Sequence, residues 1–212
     1  MPEFDPGCVR CPRLSTHLNN IRREYPDYHA RPVAPFGAAD PWLLIVGLAP
    51  GMHGANATGR PFTGDYAGIL LYKTLHEFGF SNQPHATDRK DRLKLFNCRI
   101  TNAVKCLPPE NKPTGGEIRM CNDYLRSELG GLRRGALILA LGKVAHDAVL
   151  RALDVKLKQY PFRHGAQYRL TNGSWLIDSY HCSRYNTQTR RLTGEMFTEI
   201  FKKILEIYNI SI

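Results

Sequence analysis

The sequence predicts an α/β fold in which helices cover both faces of a mostly parallel β-sheet. Three largely apolar runs, at residues 42–48, 136–141 and 174–178, are typical of strands that are buried on both faces. Segments with helical periodicity alternate with these strands, as they do where crossover helices join parallel strands. No repeat, low-complexity segment or interdomain linker divides the chain, so we expect residues 1–212 to form a single domain.

The first half of the chain is predicted to place one helix on each side of the first strand. Residues 14–25 form the first of these helices, and a proline-rich loop follows it. After the strand comes a glycine-rich loop at residues 49–65. Residues 66–78 form the next helix, because Asp65 can cap its start and Gly79 can end it.

The second predicted strand lies between a polar segment and another capped helix. Residues 81–97 are polar and basic, and we expect them to form an exposed excursion. The strand covers residues 99–104, and its pattern is weaker than that of the other strands. Thr114 and Glu117 have the spacing of a capping box, which starts a helix that ends near residue 129.

The C-terminal part of the chain continues the alternation of strands and helices. A helix over residues 143–153 follows the third strand, and the fourth strand leads to His181. A polar loop at residues 182–192 separates this strand from a last helix over residues 193–208, whose apolar side chains recur at helical spacing. The sequence therefore predicts four strands with helices between them and at both ends.

The composition favours a polyanionic partner. The chain has 29 Lys and Arg residues against 19 acidic residues, which gives a net charge of +10. Such a charge favours nucleic acid, although solubility alone could also account for it. No apolar run approaches the roughly 20 residues of a membrane-spanning helix, and the N-terminus has no signal-peptide pattern. We therefore expect a cytoplasmic protein that does not bind membranes.

Polar segments follow three of the predicted strands, at the carboxyl ends where open α/β sheets bind ligands. They are the loop at residues 49–65, the surroundings of Asn102, and residues 181–186. The loop lacks the Gly-Lys-Ser/Thr of a P-loop and the Gly-x-Gly-x-x-Gly of a dinucleotide site. It is therefore either another kind of phosphate-binding loop or an ordinary surface loop.

Four side chains of these segments have chemistry suited to a site. Asp65 could orient a water molecule or face a developing positive charge, or it could be a helix cap alone. His181 could donate a hydrogen bond to a leaving anion. Asn102 could present a donor and an acceptor to the edge of a base. Phe62 could stack on a base, or it could belong to the core.

The cysteines are expected to be reduced in an intracellular protein, so metal binding or catalysis explains patterned cysteines better than disulfides do. Cys8-x-x-Cys11, followed by Cys106 and Cys121, offers four thiolates, which suit a zinc ion or an iron–sulfur cluster. Cys121 could also be a small apolar residue on its helix. The remaining cysteines are expected to be such residues: Cys98 and Cys182.

Three segments resemble motifs of the uracil-DNA glycosylase superfamily: residues 47–65, 101–113 and 181–189. The Leu-Ala-Pro start of the first segment, without Glu at position 48, resembles family 5 (the UDGb group) rather than family 4. The similarity extends from Cys8 to the last helix. Three long motifs in the same order make a chance resemblance a poor explanation.

This resemblance implies a three-layer α/β/α sandwich around a short, four-stranded and mostly parallel sheet. It also implies that the four patterned cysteines bind a structural [4Fe–4S] cluster: Cys8, Cys11, Cys106 and Cys121. The cluster would tie the N-terminal segment to the strand and the helix that carry the last two of these cysteines.

The resemblance also assigns roles to the candidate site residues. Phe62 would stack on an extruded base, and Asn102 would read it. Asp65 would assist the attacking water or the sugar cation, and His181 would stabilise the departing base. The other substrate-binding residues are expected to be Gly47, Ala49, Gly51 and Asn186.

Two positions depart from the pattern of the superfamily. Gly51 stands where most other families have Asp or Asn to activate water, although family 5 itself has a small or apolar residue there. The third motif begins His-Cys-Ser rather than the commoner His-Pro-Ser. We expect Cys182 to change the rigidity of this loop and not the chemistry.

The function implied by the resemblance is that of a monomeric base-excision repair glycosylase. It would extrude uracil, hypoxanthine or xanthine from double- or single-stranded DNA, hydrolyse the bond between base and sugar, and leave an abasic site. The basic surface would hold the DNA backbone, and three residues would press on the duplex: Arg184, Tyr185 and Arg190. Two alternatives are a metal-stapled nucleic-acid-binding module without catalysis, and a small-molecule hydrolase that uses the same crevice.

Overall fold

One β-sheet runs through the part of the chain that the computed structural model describes, residues 3–211. Its six strands are β1 (Phe36–Gly37), β2 (Leu43–Gly47), β3 (Cys98–Asn102), β4 (Leu137–Leu141), β5 (Gln167–Arg169) and β6 (Trp175–Ser179). Their spatial order is β1-β3-β2-β4-β6-β5. Strands β3, β2, β4 and β6 are parallel, whereas β1 and β5 are antiparallel to their neighbours. The predicted α/β class is confirmed, but this sheet has six strands rather than four.

The two strands that the sequence did not predict lie at the edges of the sheet. Strand β1 has two residues and β5 has three, and neither is long enough to show the periodicity of a strand. The predicted strands are the inner ones. Every residue of β2 and β4 is buried, which explains their uninterrupted apolar character.

Seven helices occur in the described part of the chain: α1 (Pro12–Glu24), α2 (Ala55–Thr58), α3 (Tyr66–Glu77), α4 (Gly115–Gly130), α5 (Lys143–Ala152), α6 (Arg184–Gln188) and α7 (Gly194–Ser211). Helices α2 and α6 lie inside predicted loops, because one helical turn shows no periodicity. Both predicted caps are confirmed. Asp65 accepts a hydrogen bond from the backbone N–H of Gly68, and Thr114 and Glu117 form a capping box. None of these helices is long and apolar enough to cross a membrane.

Helices cover both faces of the sheet, which confirms the three-layer arrangement. Helices α3 and α7 pack on the face to which Leu43 and Ile45 point. Helices α4 and α5 pack on the opposite face, against Leu44 and Val46. Successive side chains of a strand point to opposite faces, so one apolar run supplies both layers of the core.

The polar segment at residues 81–97 is only partly exposed, contrary to the prediction. Leu93 and Leu95 are buried in the core, and the carbonyl of Ala86 accepts a hydrogen bond from the backbone N–H of Gly64 in the glycine-rich loop. Two apolar side chains within a basic stretch give too weak a pattern for this docking to be predicted.

An ion pair between Arg60 and Asp91 anchors this segment to the glycine-rich loop. Nη1 of Arg60 lies 2.8 Å from Oδ1 of Asp91, and Nη2 lies 2.5 Å from Oδ2. Nε of the same guanidinium donates to Oγ1 of Thr63 at 2.8 Å. Both charged side chains are less than a tenth exposed. The pair therefore fixes the loop on both sides of Phe62.

We expect Asp91→Asn to lower the free energy of unfolding at pH 7 by about 2–4 kcal/mol, because the guanidinium of Arg60 loses its buried counter-charge. Burial alone would raise the pKa of Asp91, but Arg60 and the backbone N–H groups of Leu93 and Thr87 hold this pKa well below its usual range. The stabilisation is present above the pKa of the unfolded carboxyl group, near about 4, and is lost as the pH falls below it.

Urea unfolding of the wild type and of Asp91→Asn at pH 7 and pH 3 measures this effect, and the difference between the two proteins should shrink at pH 3. Asp154→Asn is the matched control, because its ion pair with Arg126 is exposed and should change stability little. A difference for Asp91→Asn that stays the same at both pH values would contradict the prediction.

Candidate active site

A cavity of about 470 Å³ opens at the carboxyl edge of the parallel strands. It is bounded by the loops that follow β2, β3 and β6. The predicted site residues that line it are Ala49, Gly51, Phe62, Asp65, Asn102, His181, Arg184 and Tyr185. The fold thus brings together the three predicted catalytic residues, which lie far apart in sequence.

Three of the residues predicted to bind substrate or DNA do not line this cavity. Gly47 lies behind Phe62 and Asn102. The side-chain amide of Asn186 donates to the backbone carbonyl of His181 at 2.8 Å and so holds the loop instead of facing the cavity. Arg190 lies just beyond α6 and is exposed.

Asn102 presents an unsatisfied amide to the cavity. It is the last residue of β3 and is 2% exposed. Neither its amide nitrogen nor its amide oxygen has a hydrogen-bond partner in the described part of the protein. A buried polar group without a partner costs roughly 1–3 kcal/mol. The arrangement is suited to a ligand that offers an acceptor and a donor side by side.

Gly47 makes room for two of the side chains that line the cavity. A Cβ atom at this position would lie 2.4 Å from Oδ1 of Asn102 and 2.7 Å from the ring of Phe62. Both distances are far below van der Waals contact, so any side chain would displace the amide, the ring or both. Gly47 therefore acts through the space that it leaves free.

Phe62 forms an aromatic wall of the cavity. Its backbone is in the left-handed region, with φ of 53°, which costs a residue with a Cβ roughly 1–2 kcal/mol. The hydroxyl of Tyr72 donates to the carbonyl of Pro61 at 2.7 Å and helps to hold this strained turn. The Phe62 ring lies 5.8 Å from the His181 ring, at an interplanar angle of 27°. The strain directs a flat apolar surface into the site.

The two carboxylate oxygens of Asp65 have different surroundings, one at the start of α3 and the other beside the cavity. Oδ1 accepts the hydrogen bond that caps α3. Oδ2 is the atom nearest to a Cβ built at Gly51, at 3.9 Å, and it would lie 2.6 Å from a Cβ at Gly54. Burial raises the pKa of Asp65, whereas the backbone N–H groups of Gly68 and Ala67 oppose this rise. The cap and a chemical role are therefore compatible.

His181 is a neutral imidazole at neutral pH. Part of its surface lines the cavity, but the ring is packed deeply enough that burial lowers its pKa to about 4. A neutral ring can donate one N–H without carrying charge. The hydrogen bond from Asn186 to its backbone carbonyl fixes the start of the loop that carries it.

Several residues that line the cavity were not predicted: Leu48, Ala55, Tyr66, Ala67, Asn111 and Ser183. Tyr66 follows Asp65 directly, and the guanidinium of Arg184 lies 6.0 Å from its ring centre. Asn111 has left-handed backbone, with φ of 56°. Their positions depend on loop geometry, for which the sequence has no periodic signal.

The four patterned cysteines meet in a second place, away from this cavity. They line one small, apolar cavity: Cys8, Cys11, Cys106 and Cys121. All four thiols are free, and burial raises the pKa of Cys106 to about 12 and that of Cys121 to about 11. Among the described residues, no group of three metal-binding side chains is placed to hold a single ion. The other two cysteines are buried in the core, as predicted: Cys98 and Cys182.

Comparison with known sequences gives a consistent result. A family model described as the uracil-DNA glycosylase superfamily matches residues 34–205. A type-5 uracil-DNA glycosylase of Thermus thermophilus is 46% identical over 199 residues, which are 92% of this chain and 90% of that protein. A type-5 uracil-DNA glycosylase of Pyrobaculum aerophilum is 40% identical over 201 residues, which are 93% of this chain and 87% of that protein.

A comparison of structures agrees on the fold. The crystal structure of wild-type SMUG2 from Pedobacter heparinus aligns with a TM-score of 0.51, covering 99% of this chain and 92% of that one. The sequence identity between the two is 13%. At that identity the likeness concerns the arrangement of the sheet and its helices, and it carries no information on the site.

Proposed function

This chain belongs to the uracil-DNA glycosylase superfamily, and on that premise we propose that it removes uracil from DNA by hydrolysing the bond between base and sugar. The observation that supports this function best is the unsatisfied amide of Asn102 in the cavity. An amide that the protein leaves without partners is suited to read the hydrogen-bonding edge of an extruded base. The product is an abasic site, as in the first step of base-excision repair.

Base recognition combines stacking with edge readout. The Phe62 ring offers a flat surface on which an extruded base can stack. The donor and acceptor of Asn102 match the adjacent C=O and N–H groups of uracil. Gly47 keeps ring and amide close enough to act on one base.

Cleavage requires that charge be stabilised on both sides of the breaking bond. The bond between C1′ and the base nitrogen breaks with its electron pair passing to the base, so the sugar acquires positive charge. The carboxylate of Asp65 stabilises this charge or orients the water that adds to C1′. The neutral His181 N–H donates to the anion that forms on the base. The proton released by the water balances the charge of the departing base.

DNA engagement is assigned to the rim of the cavity and to the net charge of +10. Tyr185 is 70% exposed at the cavity edge, where it can occupy the space of an extruded base. Arg184 and Arg190 can bind phosphates on either side of it. Such contacts do not depend on the base sequence. We propose that the protein acts on deaminated bases in both double- and single-stranded DNA, and that it acts as a monomer.

The substrate range is proposed to include hypoxanthine and xanthine as well as uracil. Small residues line one side of the cavity, namely Ala49, Gly51 and Ala55, within about 470 Å³. A purine is larger than uracil and needs that space. Hypoxanthine and xanthine also present adjacent C=O and N–H groups, so Asn102 can read them in the same way.

We expect Asp65→Asn to reduce base release by about 100-fold or more, because the variant keeps a helix cap but loses the charge. His181→Ala should cause a loss of similar order by removing the N–H donor. The assay uses duplex oligonucleotides that carry one uracil, hypoxanthine or xanthine, with abasic sites detected by alkaline cleavage. DNA affinity should stay within about threefold of the wild type, since phosphate contacts dominate binding.

Asp154→Asn serves as the control for this assay, since Asp154 follows α5 and does not line the cavity. Equal losses of affinity and cleavage in Asp65→Asn would overturn the role assigned to it. DNA binding by the wild type without release of any base would favour a non-catalytic binding module.

The pH dependence of kcat follows from the same two groups. The working forms are the ionised Asp65 and the neutral His181, and acid removes both. Burial raises the pKa of Asp65 above its ordinary value and lowers the pKa of His181 to about 4. We therefore expect kcat to be flat near neutral pH and to fall as the pH decreases toward these pKa values. A kcat that rises on acidification from pH 7 to pH 5 would contradict both assignments.

Gly54→Ala tests whether space around Asp65 is required. A Cβ at Gly54 would lie 2.5 Å from Cβ of Asp65, so the carboxylate must move. We expect kcat to fall by roughly 10-fold or more, because displacements near 1 Å weaken catalysis strongly. Gly116→Ala is the matched control, since its Cβ would meet only Oγ1 of Thr114, at 3.8 Å. Equal activity of the two variants would show that Asp65 tolerates displacement.

We propose further that the four clustered cysteines bind a structural [4Fe–4S] cluster. Four thiolates in an apolar surrounding are the donor set that such clusters use, and a cluster spreads its ligands more widely than a single ion does. Cys8 and Cys11 precede α1, Cys106 follows β3, and Cys121 lies in α4. When bound, the group would act as a cross-link between these elements.

Iron analysis of protein purified without oxygen tests this proposal, with about four iron atoms expected per chain. Cys106→Ala should lose the iron and its visible absorbance and should lower the melting temperature. Cys182→Ala, which alters a core thiol outside the cluster, should keep its iron. Stoichiometric zinc in place of iron would show that the four cysteines bind a zinc ion instead of an iron–sulfur cluster.

A further inference from the structure

Lys105 is a buried cation at the end of β3. Its side chain is only 1% exposed. Nζ donates to Oγ1 of Thr101 at 2.5 Å, to the backbone carbonyl of Asn102 at 3.0 Å and to Oε1 of Glu128 at 2.6 Å. An ammonium group has three donors, and each of them is used. The side chain therefore folds back onto the strand that carries the amide of the cavity.

Stability alone does not account for this buried pair. Removing an ammonium and a carboxylate from water is costly, and apolar replacements of such pairs are often neutral or stabilising. Oε2 of Glu128 is buried without a partner, so the pair is not fully satisfied. A role in orienting neighbouring groups explains why the charge is present.

The groups that Lys105 orients are those around Asn102. Its side-chain amide has no hydrogen bond to the described part of the protein, so its direction depends on the backbone that carries it. The ammonium of Lys105 holds the carbonyl of Asn102 and the hydroxyl of Thr101. It thereby fixes the strand end where the amide projects into the cavity.

The backbone of Lys105 contacts the clustered cysteines. Its N–H donates to Sγ of Cys121 at 3.2 Å, and the next residue in sequence is Cys106. Glu128 lies two turns after Cys121 on α4, where both residues can face the same side. Lys105 therefore lies between the cavity and the four clustered cysteines.

We propose that Lys105 is a positioning residue for base recognition, with Glu128 as its counter-charge. The ammonium group holds the end of β3 so that the amide of Asn102 meets the edge of the base. This inference rests on the proposed function, which assigns base reading to Asn102. It concerns how well a base is recognised and leaves the phosphate contacts of DNA binding unaffected.

The test separates base recognition from DNA binding. The double variant Lys105→Met/Glu128→Gln removes both charges, whereas Lys105→Met alone would leave a buried carboxylate unpaired. Affinity is measured for a duplex with 2′-fluoro-deoxyuridine, which is hydrolysed slowly because fluorine destabilises the sugar cation. It is also measured for a duplex with a tetrahydrofuran abasic analogue, which has no base. The ratio of the two affinities isolates the contribution of the base.

We expect this ratio to fall by about 10-fold or more in the double variant, as for the loss of an oriented hydrogen-bonding pair, while abasic affinity stays within about twofold. Release of uracil should fall through KM as well as kcat. The matched control is Arg13→Met/Glu117→Gln, which removes another ion pair to α4 and keeps a capping residue. Its ratio should equal that of the wild type. If the double variant does not melt cooperatively, the same ratio of affinities is measured for Lys105→Gln, and a fall in this ratio is again expected.

A folded Lys105 variant with the wild-type ratio would overturn the inference, and so would an equal loss in the Arg13→Met/Glu117→Gln control. Failure of the proposed function gives a different result. In that case the wild type itself would release no base and would bind both duplexes equally.

Discussion

The candidate site is organised around a side-chain amide that the described part of the protein leaves without a hydrogen-bond partner. Asn102 is 2% exposed and has no partner for either amide atom in the described residues. Several neighbouring features surround this amide and support the proposal that it stays open to a base. Gly47 leaves space beside it, Phe62 is held in strained backbone next to it, and Lys105 holds its carbonyl. The apolar core of the parallel strands tolerates these local costs because it is packed on both faces.

The sequence predicted those parts of the fold whose local pattern reflects their burial. Strands β2 and β4 are apolar throughout because both faces are covered, and α3 and α4 begin at cap residues that act as expected. Strands β1 and β5 and helices α2 and α6 were missed, since two to five residues do not define a period. The docking of residues 81–97 was missed for another reason. It depends on the ion pair between Arg60 and Asp91, which are 31 positions apart.

The same distinction applies to the site. Asn102 ends one strand, and Asp65 and His181 follow two others whose carboxyl ends lie at the same edge, so topology alone could bring the three residues together. The roles proposed for Gly54 and Lys105 could not be predicted, because they depend on how the chain folds back on itself: a Cβ-sized space next to Asp65 and an ammonium that turns back to the carbonyl of Asn102. A glycine in a loop and a lysine before a cysteine have no distinctive spacing.

The two ionisable groups of the site respond to one environment in opposite directions. Burial disfavours charge, so it raises the pKa of the Asp65 carboxyl and lowers that of the His181 imidazole. In the proposed mechanism a neutral His181 serves as a hydrogen-bond donor, whereas Asp65 must be ionised beside the developing sugar cation. The N–H groups at the start of α3 oppose this rise in the pKa of Asp65 by favouring its carboxylate form. The hydrogen bond that caps the helix therefore also favours the charged form of Asp65, which the proposed catalytic role requires, so the capping role and the proposed chemical role of this residue are compatible.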